Sequence, residues 1–392
     1  MVAPPPARAF AKAVIVGAGP AGDAVAAGLR DAGYAGVIVL IGAEPELPYE
    51  RPHLSKGYLL GTVSRERLAL RPAEQYRELE VELALGERVA DIGVERHAVE
   101  LESGRTISWD VLCIATGSSA RRLPGVDNAL YLRELPDAVA LRDILDRGGV
   151  VDVIGAGFIG CEVAAVAIQK GCQVRMYEAL EQPLLKVLGP ELGDYVGRQH
   201  RDHGVELRFN VATPPRTAAP LLAGIGSVPR TELAERAGLV VDRGIVVDER
   251  GHTSAPHVFA AGDVTRFFSP LFESRIRVEH FQTAQRQGFA VGRVMAGAKQ
   301  PYDEVPWFWS DQYDLNLQYI GAGLPWDQIV TRGRFGRPPF TVFYLQEGRL
   351  VAAAGINDQH TIARARRVME ARVALTRDQL EDPAFDLRRA IR

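Results

Sequence analysis

The chain has 392 residues, 47% of them hydrophobic and 24% charged, with a formal net charge of −3. That length exceeds one ordinary core, so two or three domains are expected, and the charge gives no global reason to bind nucleic acid or an anionic membrane. No uncharged apolar run approaches the roughly 18 residues of a membrane span. Three cysteines, Cys113, Cys161 and Cys172, make neither an even-numbered framework nor a C-x-x-C pair. Arg8 and Lys12 precede an apolar run as in a signal peptide, but the run ends in glycines and Asp23, which suits a buried strand better. A cytoplasmic protein with no membrane or nucleic-acid partner is the expectation.

The run Ala13–Val16 feeds into Gly17-Ala-Gly19-Pro20-Ala21-Gly22, a G-x-G-x-x-G spacing, and then into a helical pattern ending near Ala32-Gly33. The spacing predicts strand, tight turn and helix N-terminus. The first glycine permits the turn, the second admits a pyrophosphate to the backbone, and the third packs helix on strand. The anion would lie at the positive end of the helix dipole. Val37–Ile41 reads as a strand buried on both faces. Glu44 stands 22 residues after Gly22, where such a unit places the acid that accepts from a ribose.

Leu47 to Lys56 is stiffened by two prolines and offers Arg51 and Lys56 as cations beside a pyrophosphate; a basic surface loop is the plainer alternative. Val111–Ser118 reads as another buried strand, with Cys113 as core. Asp137 is expected to cap a helix starting near Ala138. Val150-Val-Asp-Val-Ile-Gly155-Ala-Gly157-Phe158-Ile159-Gly160 then repeats the opening device, with a helix from Cys161 to Lys170 and an acid, Glu178, 18 residues after Gly160. Two such units imply two nucleotides, and an acid at the second favours a free ribose 2′-hydroxyl over a 2′-phosphate.

The pattern breaks at 211–220, where three prolines suit a turn or extended linker. Regular reading resumes at Leu221–Gly226, Arg243–Asp248 and His257–Asp263. From Trp307 the composition shifts: Phe340–Leu345 and Leu350–Ala354 flank Glu347-Gly348, a hairpin signal, and an arginine-rich helix from Thr361 to Ala374 follows. The fold class is α/β, with two Rossmann-like dinucleotide-binding domains and a C-terminal α+β domain. The expected division is 1–118 with 239–304, then 119–238, then 305–392.

The residues Pro48–Lys56, Ala115-Thr-Gly117, Leu132-Arg133, Gly155–Gly160 with Glu162, Ala261-Gly262-Asp263 and Trp307–Gln312 carry a resemblance over nearly the whole length. The chain resembles the FAD-dependent, NADH-using ferredoxin reductases of bacterial oxygenase systems, in the glutathione-reductase-like superfamily. The resemblance implies that Gly17, Gly19, Pro20, Ala21, Gly22 and Glu44 bind FAD, with Arg51, Lys56, Val89, Ala115, Arg133, Gly262 and Asp263 lining the same cofactor. Gly155, Gly157, Phe158, Ile159, Gly160 and Glu178 would bind NADH. Lys56, Glu162 and Trp309 would serve the flavin as catalytic residues. Lys56 and Glu162 would form an ion pair that favours the reduced flavin or merely holds domains together. His53 stands where the family usually has proline. Relatives carry about two dozen more residues near 211–220, by comparison with ordinary strand and loop lengths.

The implied partner is a Rieske-type or plant-type [2Fe-2S] ferredoxin, with the reductase a monomer or homodimer and no metal of its own. Disulfide and peroxide chemistry are disfavoured, because no cysteine lies near the first acid and Cys161 has no partner in sequence. A rubredoxin reductase, a cysteine-less NADH oxidase and an FAD-binding scaffold with a defective NADH site remain as alternatives. Arg364, Arg366, Arg367 and Arg372 form a basic cluster that could steer an acidic ferredoxin or simply be a solvated helix face.

Overall fold

The computed structural model describes residues 10–211 and 218–391. They gather into two compact units: residues 10–50, 69–119 and 229–306 belong to the first, and residues 51–68, 120–211, 218–228 and 307–391 to the second. Most of the stretch 211–220 lies outside the described residues.

In the first unit the apolar run forms the strand Lys12–Val16, which pairs in parallel with Val37–Gly42 on one side and Val111–Ile114 on the other. Val81–Leu85 and Val258–Ala260 complete a five-stranded parallel sheet with Lys12–Val16 at its centre. Its continuous apolar strands are buried as a two-sided sheet requires: Ala13, Val14 and Ile15 are fully buried. The helix Pro20–Asp31 packs against Phe281–Met295 through glycines. A Cβ on Gly28 would lie 2.2 Å from the Phe289 carbonyl oxygen, and one on Gly292 would lie 2.2 Å from that of Val25. Only glycine lets two helix backbones approach so closely. Between Leu85 and Val111 the chain inserts an antiparallel three-stranded meander, Val89–Gly93, Ala98–Leu101 and Thr106–Ser108.

The second unit repeats the parallel βαβ device with fewer strands. Its sheet runs Glu206–Arg208, Gln173–Tyr177, Val150–Ile154, Leu221–Ala223, all parallel. The Leu221–Ala223 edge is met by Leu130, whose N–H donates to Leu221 and whose carbonyl accepts from Ala223. Glu206 and Arg208 pair on the opposite edge, where charge guards against further strand addition. A five-stranded antiparallel sheet follows, in the order Trp307–Gln312, Leu315–Gly321, Arg349–Ile356, Phe340–Gln346, Gln328–Gly333. One apolar core joins both sheets, including Val153, Met176, Tyr344 and Ile356.

Two local expectations change in detail. The helix placed at Ala138 begins at Leu135, because Pro136 fits the first turn; its N-cap is Glu134. Asp137 sits at the third helical position and accepts from the Glu134 N–H at 2.9 Å, completing a capping box. The arginine-rich helix is Gln359–Glu370, capped by Asp358. The Glu347-Gly348 turn has φ of +51° and +77°, the left-handed pair that a tight hairpin demands.

Candidate functional site

The first fingerprint makes an anion cradle by exclusion of side chains. Gly17 has φ +117°, and a Cβ there would fall 2.2 Å from the Ala115 carbonyl oxygen. A Cβ on Gly22 would fall 1.9 Å from the Gly17 carbonyl oxygen, whereas one on Gly19 would meet no protein atom within 4 Å. The two outer glycines therefore close the turn, and the middle one faces space that a pyrophosphate can use. Gly19 is the N-cap, no side chain caps the helix, and Pro20 opens its first turn. Its first-turn donors are thus spared a side-chain acceptor, which fits an anion there.

Of the other predicted residues of this unit, Ala115 and Gly262 abut the cradle. Glu44 follows the second strand and accepts from the Tyr49 hydroxyl at 2.6 Å. Ala115 donates to the Val16 carbonyl, fixing the neighbouring strand end. Gly262, with φ +82°, lies against Ala21, where a Cβ would come within 2.7 Å of the alanine Cβ. The Gly262 N–H donates to Gln287 Oε1 at 2.8 Å, and the buried Asp263 accepts from the Ser118 hydroxyl at 3.2 Å. Residues some 240 positions apart thereby frame one site. Val89 is buried at the start of the meander.

The second unit holds an equivalent cradle. Gly155 has φ +89°, and its Cβ would sit 2.4 Å from the Gly224 carbonyl oxygen. A Cβ on Gly160 would lie 2.0 Å from the Gly155 carbonyl oxygen, while Gly157 has nothing nearer than 3.8 Å. Phe158 and Ile159 begin the helix Phe158–Gln169; the Phe158 ring meets Phe308 edge-on at 4.6 Å, and Ile159 is exposed. Glu178 reaches back over the fingerprint and accepts from the Ala156 N–H at 2.7 Å and the Leu180 N–H at 3.0 Å. Both cradles fit a dinucleotide.

The predicted catalytic trio also meets within the second unit. Lys56 Nζ lies 2.9 Å from Glu162 Oε1 and 5.8 Å from the Trp309 ring centroid. The Glu162 side chain is 2% exposed, so its charge needs partners to offset lost hydration. It has three: Lys56, the Ser55 hydroxyl at 2.5 Å and the Ser310 hydroxyl at 2.7 Å. Lys56 itself stands where the turn Arg51–Ser55 meets the short helix Gly57–Leu60, which the two prolines of that stretch help to set. Trp307 and Trp309 stack at 5.3 Å on the strand Trp307–Gln312. Arg51 donates to the Arg133 carbonyl at 2.8 Å, so those two residues are also neighbours.

Sequence reasoning assigned no role to Ser55, Ser310, Gln312, His200 or Gln287. Ser310 and Gln312 lie inside the Trp307–Gln312 motif, a signal that was available; His200 and Gln287 lie on the helices Leu185–Asp202 and Phe281–Met295, in stretches that carry no motif. All three cysteines are free and buried, and burial pushes the Cys113 and Cys161 thiols far up, away from thiolate chemistry. Of the arginine cluster, Arg366 pairs with Glu370 at 2.9 Å, and Arg364 helps hold Asp386 low, behind Arg388 itself. Among the described residues there is no metal-competent cluster of His, Cys, Asp and Glu, and no helix long and apolar enough to cross a membrane.

Comparison with known proteins gives a consistent result. The pyridine nucleotide-disulphide oxidoreductase family matches residues 11–214 and 216–288, and a reductase C-terminal family matches 307–391. The ferredoxin–NAD(+) reductase component of an anthranilate 1,2-dioxygenase system from Burkholderia cepacia is 41% identical, covering 96% of this chain and 98% of that protein. Putidaredoxin reductase of Pseudomonas putida is 36% identical, with 96% of each chain covered. The reductase in a crystal structure of a covalent putidaredoxin reductase–putidaredoxin complex superposes with a TM-score of 0.93 at 34% identity, covering 97% of this chain and 98% of that one.

Proposed function

The chain belongs to the pyridine nucleotide-disulphide oxidoreductase family, and from that premise we propose that it takes electrons from NADH and passes them to a ferredoxin that feeds an oxygenase. The observation that carries this reading is a second complete glycine cradle in a chain whose three cysteines are all buried. Two dinucleotides without an accessible thiol leave no route to a disulfide substrate, so the electrons go to an external acceptor. FAD and NADH are the cofactors of this oxidoreductase. When bound, FAD joins the two-electron chemistry of NADH to the one-electron chemistry of an iron–sulfur protein.

What the protein contributes is binding and electrostatics. Gly17, Gly19, Pro20, Ala21, Gly22, Glu44, Val89, Ala115, Gly262 and Asp263 hold FAD in this reading, with Arg51 and Arg133 contributing cations and carbonyls. Gly155, Gly157, Phe158, Ile159, Gly160 and Glu178 hold NADH, and the Glu178 carboxylate repels a 2′-phosphate. Lys56 supplies a positive charge for the reduced flavin, Glu162 fixes that charge, and Trp309 covers it. The acceptor is a [2Fe-2S] ferredoxin of Rieske or plant type, and the reductase works in the cytoplasm. The division into an FAD domain (1–118, 239–304), an NADH domain (119–238) and a C-terminal domain (305–392) is a functional one.

A specific observation favours one modification. The family match is interrupted at residue 215, inside the proline-rich stretch where the chain is expected to lack about two dozen residues. The NADH domain is therefore an abbreviated one, with its glycine cradle kept. Anaerobic mixing with NADH tests the whole reading: flavin absorbance bleaches, and added ferredoxin restores it faster than air does. A flavin that NADH leaves oxidised would make the chain an FAD-binding scaffold, and fast reoxidation by oxygen alone would make it an oxidase.

A further inference from the structure

Beyond Lys56 and Glu162, a row of buried polar groups leads away through the second unit. Ser310 Oγ accepts from Gln312 Nε2 at 3.1 Å, Gln312 Oε1 lies 3.1 Å from His200 Nε2, and His200 Nδ1 lies 2.9 Å from the Tyr313 hydroxyl. Ser310 and His200 are wholly buried, and Gln312 is 3% exposed.

The direction of every bond in this row follows from its inner end. A carboxylate only accepts, so the single Ser310 proton points at Glu162 Oε1. Ser310 must then accept from its other neighbour, which requires the Gln312 amide nitrogen to face it. The Gln312 carbonyl oxygen is thereby turned to His200, so His200 carries its proton on Nε2. Burial pushes the His200 pKa down to about 4, which keeps the ring neutral and Nδ1 bare. Nδ1 accepts from Tyr313. The protons thus all point one way: Tyr313 to His200 to Gln312 to Ser310 to Glu162.

A primary amide does not relay protons readily, since it would have to pass through its imidic acid form. The row therefore orients and does not conduct. Its outer end carries a backbone cost. Tyr313 has φ +57° at the first position of a two-residue turn, between the paired residues Gln312 and Leu315, where glycine is favoured. The Tyr313 ring lies flat on His203 at 3.7 Å, and its hydroxyl completes the row.

We propose that Tyr313, His200 and Gln312 are positioning residues for Glu162: they hold the Ser310 proton on Glu162 and so keep Glu162 clamped to Lys56. Without the Gln312 amide donor the Ser310 rotamer is no longer fixed, and its hydrogen bond steadies Glu162 less. Glu162 then sits less firmly against Lys56, and Lys56 is less neutralised. The functional consequence rests on the roles given to Lys56 and Glu162 above; the direction of the row does not.

Two measurements test this on the full-length, FAD-loaded protein. With histidine labelled by nitrogen-15, long-range nitrogen–proton spectra show His200 as the Nε2–H tautomer, its signals assigned by their loss in His200→Gln; an Nδ1–H tautomer overturns the proposal. Gln312→Leu and the milder Tyr313→Phe raise the flavin midpoint potential and change the NADH reduction rate about tenfold, with NADH affinity within about twofold of the parent. Potentials equal to the parent's in both variants overturn it, since a merely structural role would lower stability and leave the potential alone. The tautomer is read without NADH or acceptor, so a parent protein that NADH failed to reduce would count against the reductase reading alone.

Discussion

The two fingerprints are close copies in their glycines and unlike in what surrounds them. At Gly17 and Gly155 an added Cβ would strike a neighbouring backbone carbonyl, at Gly22 and Gly160 the carbonyl of the unit's own first glycine, and at Gly19 and Gly157 nothing closer than 3.8 Å. The turn is thus dictated locally, by sterics that ignore the rest of the chain. The acids differ. Glu44 is steadied by the Tyr49 side chain, whereas Glu178 is tied to two backbone N–H groups, that of Ala156 in its own fingerprint and that of Leu180. The sheets differ more: the first has five parallel strands with a meander inserted, and the second has four, with 12 residues between Arg208 and Leu221. Binding a dinucleotide needs the turn; how the sheet is finished is open to variation.

The largest predicted effect separates the copies by consequence. Gly22→Ala drives a methyl into the Gly17 carbonyl beside the central strand, and we expect loss of FAD and of the first unit's fold, a cost above about 4 kcal/mol. Gly160→Ala meets the same clash in the second cradle and should abolish bleaching by NADH, with FAD binding weakened less than in Gly22→Ala because fewer of the proposed FAD residues lie in that unit. FAD loss as complete as that of Gly22→Ala would break the contrast.

Next comes acid stability, because each unit holds a histidine that desolvation keeps neutral. Burial pushes both His280 in the first unit and His200 in the second down to about 4, against small opposing effects of Asp263 and Gln312. A free histidine titrates near 6.5, so below that pH the unfolded chain takes up protons that the folded chain refuses. The stabilisation is complete above about pH 6.5 and is lost as pH falls toward 4, on the order of 3 kcal/mol for each histidine. Urea melts at pH 7.5 and 4.5 should show this fall, with His280→Gln and His200→Gln each removing its share. An unchanged slope in either variant would assign the acid sensitivity elsewhere.

The smallest effect lies at the middle glycines. Gly19→Ala and Gly157→Ala add a methyl to space with no protein atom in hard contact, so thermal stability should hold in the absence of ligand. Affinity should fall about 10–100-fold, for FAD in the first case and NADH in the second, as a methyl crowds the pyrophosphate. Equilibrium titrations of the apoprotein with FAD, and of the holoprotein with NADH, separate the two. Equal loss of both ligands in one variant would break the comparison.

The glycines were legible because their constraint is local: spacing, strand before and helix after state it in full. The Glu347-Gly348 hairpin was legible for the same reason. Asp137 was read as a cap because acids favour that position, and Pro136 moved the helix start three residues earlier. His200 was invisible, since its partner Gln312 lies 112 residues away and nothing in a helical period announces a buried ring. Lys56 was legible as a cation of a proline-stiffened stretch, while its catalytic role, and Glu162 and Trp309, came from resemblance. Their convergence is tertiary, and no spacing predicts it.

The glycine contact between Pro20–Asp31 and Phe281–Met295 has a consequence in time. Some 250 residues separate the end of the first helix from the start of the second. At about 5–20 residues per second, a ribosome needs roughly 12–50 seconds to supply the missing partner. For that interval the glycine-lined face made first, with Val25 and Leu29 on its helix, waits without its cover. The first nucleotide cradle to be synthesised is thus among the last to be completed, and nascent chains stopped short of Phe281 should be strong clients for chaperones.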